Sequence, residues 1–173
     1  MIGWIIIIVA LVVVDQVTKA FAVSFLEAGS SVEVIPGVFQ FTYVENRGAA
    51  FGMLSEHRWI FMVISTVAIV ALLIYLWRFR PDSVLACTAI SLIIAGGLGN
   101  MLDRVYLGYV IDFFDFCAFP ELWLWVFNVA DVCVCVGGGL LVLWLIISLV
   151  ADYKKEKRDR EEKTAKQENK VEK

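Results

Sequence analysis

Polar side chains capable of acid–base chemistry lie in apolar sequence between Gly96 and Asp131. They are three carboxylates, two amides and a guanidinium: Asp103, Asp112, Asp131, Asn100, Asn128 and Arg104. Two carboxylates that meet in a low-dielectric site cannot both ionise cheaply, so one of them keeps a proton. Such a pair can activate a water with the ionised member and donate a proton from the other. This chemistry requires a fold that brings two of the aspartates together.

The composition indicates a membrane protein. Of the 173 residues 60% are hydrophobic and the mean hydropathy is +0.78, whereas soluble domains contain about 45–50% apolar residues. The length suits one domain. The net charge of −3 conceals a segregation of charges, because nine of the fifteen Lys and Arg residues follow Ala151.

The cysteines and the single histidine argue against metal and nucleophilic chemistry. The four cysteines form no CxxC pair, and His57 is the only histidine. We interpret the cysteines as small apolar fillers. A zinc site or a Ser-His triad built on histidine would depend on His57 alone. We therefore expect neither a metal nor a cofactor.

Four stretches are long and apolar enough to cross a hydrocarbon core of about 30 Å. They cover about 2–25, 59–77, 83–102 and 122–150. In the first, Asp15 and Lys19 have the i, i+4 spacing that places them on one helix face. Two alternatives stay open there: a self-neutralised pair at the membrane edge, and a signal peptide cleaved near Ala20-Phe21-Ala22, although no Lys or Arg precedes the apolar run.

The remaining segments are more polar or more aromatic. In the segment 26–57, residues 31–35 and 38–44 are rich in Val, Phe, Tyr and Thr around Pro36-Gly37, which predicts a β-hairpin. The aromatic segment 104–121 is expected to lie at the membrane interface. The charged segment 152–173 is predicted to be a solvated helix or a disordered tail, with contact to anionic lipids as the alternative.

The distribution of basic residues predicts the orientation. Arg78, Arg80 and the basic tail place the link 78–82 and the C-terminus in the cytoplasm, and four spans then place the N-terminus there too. Asp131 is expected nine residues into the fourth span, roughly 13 Å along its axis. The polar residues of the first, third and fourth spans then converge on the outer leaflet.

At these residues the chain resembles the signal peptidase II, or lipoprotein signal peptidase, family of membrane aspartic peptidases. The resemblance covers nearly everything from Asp15 to Gly137 and rests on five motifs in family order. They are Asp15-Gln16-Val17-Thr18-Lys19, Asn46-Arg47-Gly48-Ala49-Ala50-Phe51, Gly96-Gly97-Leu98-Gly99-Asn100-Met101-Leu102-Asp103-Arg104, Val110-Ile111-Asp112-Phe113 and Phe127-Asn128-Val129-Ala130-Asp131.

The resemblance implies an α-helical membrane protein: a four-transmembrane-helix bundle with a small extracytoplasmic β-cradle and an interfacial helical segment. These elements form one domain over 1–151, followed by a cytoplasmic tail. The implied activity is that of an aspartic endopeptidase of the bacterial inner membrane, which removes the signal peptide from prolipoproteins just before a diacylglyceryl-modified cysteine. The expected partners are these lipid-modified substrates and membrane lipids, without nucleic acid, and the protein is expected to be monomeric.

The same resemblance implies the roles of the site residues. Asp112 and Asp131 are the implied catalytic pair. Asp103 is ambiguous, because it lies beside Asn100 and Arg104, and we assign it to support. The supporting or substrate-binding residues are Asp15, Lys19, Asn46, Gly48, Asn100, Asp103, Arg104 and Asn128.

Two other classes of function compete with this interpretation. A proton- or ion-coupled transporter would also place carboxylates in membrane helices, but it needs polar groups reachable from both sides, and the inner halves of these spans have almost no ionisable residue. A non-enzymatic assembly module would explain the glycines but leaves Asp112, Asp131 and Asn128 without a task.

Overall fold

A computed structural model describes residues 2–26, 29–48, 58–79, 81–118, 121 and 125–171. Motif residues 49–51, His57 and Arg80 lie outside this part of the chain. Four helices in the described residues are long and apolar enough to cross a membrane, which confirms the predicted bundle. The elements in chain order are α1 (Ile2–Phe25), β1 (Ser31–Ile35), β2 (Phe39–Asn46), α2 (Arg58–Phe79), α3 (Val84–Tyr106), β3 (Val110–Phe116), β4 (Val126–Phe127) and α4 (Val129–Val171).

Helix α3 is the centre of the bundle and contacts α1, α2 and α4. Its N-terminus is capped by Ser83, whose hydroxyl accepts the N–H of Ala86 at 3.2 Å. Ile90 and Ile94 of α3 are buried in one apolar cluster with Ile8 of α1 and Leu76 of α2. The outward faces of α1, α2 and α4 carry exposed Ile, Leu and Val side chains, as expected for helices surrounded by lipid.

Glycines allow α3 and α4 to pack backbone against backbone. A Cβ atom at Gly96 would overlap the carbonyl oxygen of Ala130, and one at Gly137 would lie 2.8 Å from the carbonyl oxygen of Ala89. Small residues permit this approach. The contact at Gly96 sets the end of α3 beside the first turn of α4.

The four strands form an antiparallel sheet in the order β1-β2-β3-β4. The predicted hairpin is confirmed as β1 and β2, with Gly37 at a φ of +68° in the turn. Strand β3 pairs with β2 so that Asp112 lies opposite Val44. Tyr43, Ile111 and Phe113 pack with Ala22 of α1, which fixes the sheet on the end of the first helix.

The prediction of a helical segment within 104–121 is wrong for residues 110–116, which form strand β3. The sequence VIDFFDF is rich in β-branched and aromatic residues that favour strands. Pairing with β2 on one side and β4 on the other makes β3 an inner strand of the sheet.

The expected start of the fourth span is also wrong. Helix α4 begins at Val129, because Val126 and Phe127 pair with β3. Asp131 is therefore the third residue of the helix and does not lie nine residues into a span. Helix α4 continues to Val171, so the described part of the tail forms a helix, the first of the two predicted alternatives. Residues 151–163 of this helix are exposed.

Candidate active site

The polar residues meet where the ends of three helices reach the sheet. Helices α1 and α3 each contribute side chains near their C-terminal ends, α4 contributes its first turn, and β2 and β3 contribute one residue each. The hydrogen-bonded members are Asp15, Lys19, Asn46, Asn100, Asp103, Asp112, Asn128 and Asp131.

Asn128 links the two aspartates of the expected catalytic pair. Its Nδ2 donates to Asp112 Oδ1 at 2.6 Å and to the carbonyl oxygen of Ile111 at 3.2 Å. Its backbone N–H donates to Asp131 Oδ2 at 3.1 Å. Asp112 and Asp131 thus both contact one residue that is fully buried.

The first turn of α4 holds Asp131 by a reciprocal cap. Asn128 precedes the helix, and its Oδ1 accepts the N–H of Asp131 at 2.9 Å while Asp131 accepts the N–H of Asn128. This is the geometry of a capping box, which satisfies backbone donors at a helix N-terminus. The helix dipole at the same end favours a negative charge on Asp131.

Asn46 holds Asp112 from the other side. It ends β2 opposite Val110, and its Nδ2 donates to Asp112 Oδ2 at 2.9 Å. Its Oδ1 accepts the N–H of Gly48 at 3.0 Å. Both oxygens of the Asp112 carboxyl group therefore accept an amide N–H.

A buried ion cluster, formed by Asp15, Lys19 and Asp103, lies beside the two aspartates of the expected catalytic pair. Lys19 Nζ lies 2.9 Å from Asp15 Oδ2, 2.8 Å from Asp103 Oδ2 and 2.9 Å from Asn100 Oδ1. Asp15 Oδ1 accepts the N–H of Ala130 in the first turn of α4 at 2.9 Å. The i, i+4 pairing expected for Asp15 and Lys19 is observed, but both side chains are buried and reach across to other elements.

Asp103 contacts both the ion cluster and strand β3 of the sheet. Besides Lys19, it accepts the N–H of Ile111 at 3.2 Å and a hydrogen bond from Gln16 at 2.9 Å. Ile111 precedes Asp112, so Asp103 anchors the strand that carries that carboxyl group. Its assignment as a supporting residue stays a prediction.

Arg104 lies at the side of the site that faces the residues directly after β2. Its guanidinium donates to the carbonyl oxygen of Asn100 at 3.2 Å and to that of Gly48 at 3.5 Å. Arg104 and Gly48 therefore lie together beside Asn46, although 56 positions separate them in the chain.

Gln16 is a further residue in contact with this cluster, and the sequence-based prediction does not include it. Its Nε2 lies 2.9 Å from Asp103 Oδ1 and 3.3 Å from both Asp15 Oδ2 and the carbonyl oxygen of Gly99. Its position beside Asp15, three residues before Lys19, is the signal that could have identified it, because residues at i, i+3 are neighbours on a helix surface.

Burial controls the charge of Asp112. The side chain is 2% exposed, and desolvation together with the negative charge of Asp131 raises its pKa to about 7, against the lowering effect of the Asn46 and Asn128 amides. Asp112 therefore keeps its proton at pH values at which an exposed aspartate is ionised.

Known proteins resemble this chain over most of its length. A family model described as Signal peptidase (SPase) II matches residues 7–147, which include all ten expected site residues. The lipoprotein signal peptidase of Clostridioides difficile strain 630 is 43% identical over 143 residues, 83% of this chain and 94% of that protein. That of Halothermothrix orenii is 41% identical over 140 residues, 81% of this chain and 92% of that protein.

Solved structures share the fold. One bacterial membrane enzyme has a TM-score of 0.80 at 35% identity, covering 86% of this chain and 90% of its own. A second has a TM-score of 0.75 at 36% identity, covering 84% and 93%. The family model extends over the whole site, and the solved structures agree in fold. The chain therefore belongs to the signal peptidase II family.

Proposed function

We propose that the protein is an aspartic endopeptidase that removes the signal peptide from diacylglyceryl-modified prolipoproteins, cutting just before the lipidated cysteine. The observation that carries this proposal is the pairing of Asp112 and Asp131 through Asn128 at the start of a membrane-spanning helix. The relatives named as lipoprotein signal peptidases support the class of substrate.

In the proposed mechanism the two aspartates have different tasks. Asp131 lies at the N-terminus of α4 and is the ionised member, which removes a proton from the attacking water. Protonated Asp112 polarises the scissile carbonyl through its O–H. The water oxygen bonds to the carbonyl carbon, and the Asp112 proton then passes to the leaving nitrogen as the C–N bond breaks. This leaves a free amine on the cysteine and a carboxyl group on the signal peptide, while Asp131 keeps the proton taken from the water.

Cleavage should depend on the lipid. Acyl chains that stay in the bilayer would hold the modified cysteine at the level of the carboxylates, and such positioning raises the effective concentration of the scissile bond. We expect the purified protein to cleave a diacylglyceryl-modified precursor and to leave the unmodified precursor almost intact. Mass spectrometry of the products measures both. Equal cleavage of the two precursors would exclude the proposed substrate class.

We also propose that both termini are cytoplasmic and that the site lies near the outer leaflet. Arg78 at the end of α2 and the basic residues that follow the apolar part of α4 favour the cytoplasmic side. The site residues lie at the opposite ends of α3 and α4. The four native cysteines are first replaced by alanine. In intact cells a membrane-impermeant thiol reagent should then label Glu33→Cys and spare Arg160→Cys, and the reverse pattern would contradict this orientation.

The activity should decline as the pH rises through about 7. Asp112 has a raised pKa of about 7, and above that pH its ionised form cannot donate a proton to the carbonyl. We expect kcat/KM to fall on the alkaline side of a profile measured between pH 5 and 9. In Asn46→Ala, loss of a donor to the Asp112 carboxylate should move that limb to higher pH. A limb that does not move would show that another group controls it.

A further inference from the structure

The orientation of the Asn100 side-chain amide determines whether its oxygen or its NH₂ group faces Asp131. Its Nδ2 lies 2.8 Å from Asp131 Oδ1, and its Oδ1 lies 2.9 Å from Lys19 Nζ. An ammonium group has donors and no acceptor, so the amide oxygen must face Lys19. The NH₂ group of Asn100 is then directed at the Asp131 carboxylate.

The other two asparagines of the site are oriented in a different way. The oxygen of Asn46 accepts the backbone N–H of Gly48, and that of Asn128 accepts the backbone N–H of Asp131. Asn128 Nδ2 also approaches Asn100 Oδ1, at 3.1 Å, but its two hydrogens face three acceptors, which include Asp112 and the carbonyl of Ile111. The Asn100 oxygen therefore has two donors, of which the ammonium of Lys19 is the closer and the charged one.

Lys19 is itself held in place. Its three N–H groups match three acceptors: Asp15 Oδ2, Asp103 Oδ2 and Asn100 Oδ1. The side chain is 1% exposed, and carboxylates from both α1 and α3 fix the ammonium between them. This rigid donor can orient a neighbouring amide.

We propose that Lys19 is a positioning residue of the peptidase, which acts through Asn100 by keeping its NH₂ group on the Asp131 carboxylate. The inference rests on the proposed function. If the Asn100 amide turned over, its oxygen would face the carboxylate, and one N–H donor to the ionised aspartate would be lost.

A double-mutant cycle tests this role. Lys19→Met and Asn100→Ala should each lower kcat by about 10- to 100-fold, the range expected for a hydrogen bond to a charged group, and each should leave KM nearly unchanged. Because Lys19 acts through Asn100, the double variant should be no slower than the slower single variant. Losses in kcat that multiply in the double variant, or a change confined to KM, would overturn the proposal.

Gln16→Met is the matched control, because Gln16 contacts Asp15 and Asp103 of the same cluster and leaves Asn100 untouched. It should lower the melting temperature and should reduce kcat by clearly less than Lys19→Met does. A kcat loss equal to that of Lys19→Met would show that the cluster acts only as structure and would refute the positioning role.

Loss of Lys19 leaves two buried carboxylates unpaired, which can prevent folding. If Lys19→Met does not fold, the cycle uses Lys19→Met combined with Asp103→Asn. The combined variant is compared with Asp103→Asn alone. Replacing both residues removes one positive and one negative charge, so the formal charge of the cluster is preserved. Failure of the unaltered protein to cleave the lipid-modified precursor would refute the proposed function, and with it the role of Lys19. Cleavage with independent effects of Lys19 and Asn100 would refute the role of Lys19 alone.

Discussion

Asp112→Asn and Asp131→Asn should each lower kcat for a lipid-modified precursor by about 10²- to 10⁴-fold, the range typical of general acid–base catalysis. An amide at 131 cannot take a proton from water, and an amide at 112 has no carboxyl proton to donate. Each carboxyl group accepts two N–H bonds, and the oxygen of the new amide can keep one of them. The new NH₂ group faces the other donor, so we expect the fold to persist with a lower melting temperature. Single-turnover cleavage and thermal unfolding in detergent measure the two effects separately.

Asp103→Asn is the control for this pair. Asp103 is also buried and acidic, but it binds Lys19, Gln16 and the N–H of Ile111. We expect a lower melting temperature, because one carboxylate of the ion cluster is lost, with a smaller loss of kcat than at 112 or 131. If Asp103→Asn is inactive and normally stable while Asp112→Asn still cleaves, the catalytic pair has been assigned wrongly.

Gly96→Ala should damage both stability and activity. The added Cβ would overlap the carbonyl oxygen of Ala130 and lie 2.8 Å from Val134 Cγ2. Because a backbone atom cannot move aside as a flexible side chain does, α3 and α4 must separate, and overpacking of this kind costs about 1–3 kcal/mol. Separation would also draw Asp131 away from Asn100 of α3, so we expect kcat to fall together with the melting temperature.

Gly139→Ala supplies the comparison within α4. A Cβ at this position has no atom within 4 Å, and replacing a helical glycine by alanine stabilises by about 0.5–1 kcal/mol. We expect an unchanged or slightly higher melting temperature and normal cleavage. Similar behaviour of the two glycine variants would contradict the backbone contact between α3 and α4 as the reason for the loss.

The sequence predicts the parts of this fold that depend on local patterns. Apolar length is enough to identify four membrane helices, and the run of Val, Phe, Tyr and Thr around Pro36-Gly37 is enough to identify β1 and β2. The spacing of Asp15 and Lys19 predicts their contact, because neighbours on one helix face need no information from the rest of the chain.

The parts that the sequence does not predict depend on distant partners. Strand β3 forms against β2, which lies 64 or more positions earlier along the chain, and β4 forms against β3. Without these partners, the composition of 110–116 predicts an interfacial segment. The predicted depth of Asp131 is wrong because residues 126–127 are taken as part of the fourth helix. The contacts of Gln16 with Gly99 and Asp103 likewise depend on how α1 packs on α3.

The cap that Asp15 places on α4 has a consequence for biosynthesis. Asp15 of α1 is synthesised before its partner Ala130 of α4, and β2 is synthesised before β3, with which it pairs. A nascent chain that lacks α4 holds Asp112 without Asp131 or Asn128. The proposed mechanism therefore predicts that a copy whose synthesis has not yet reached α4 cannot cleave a precursor.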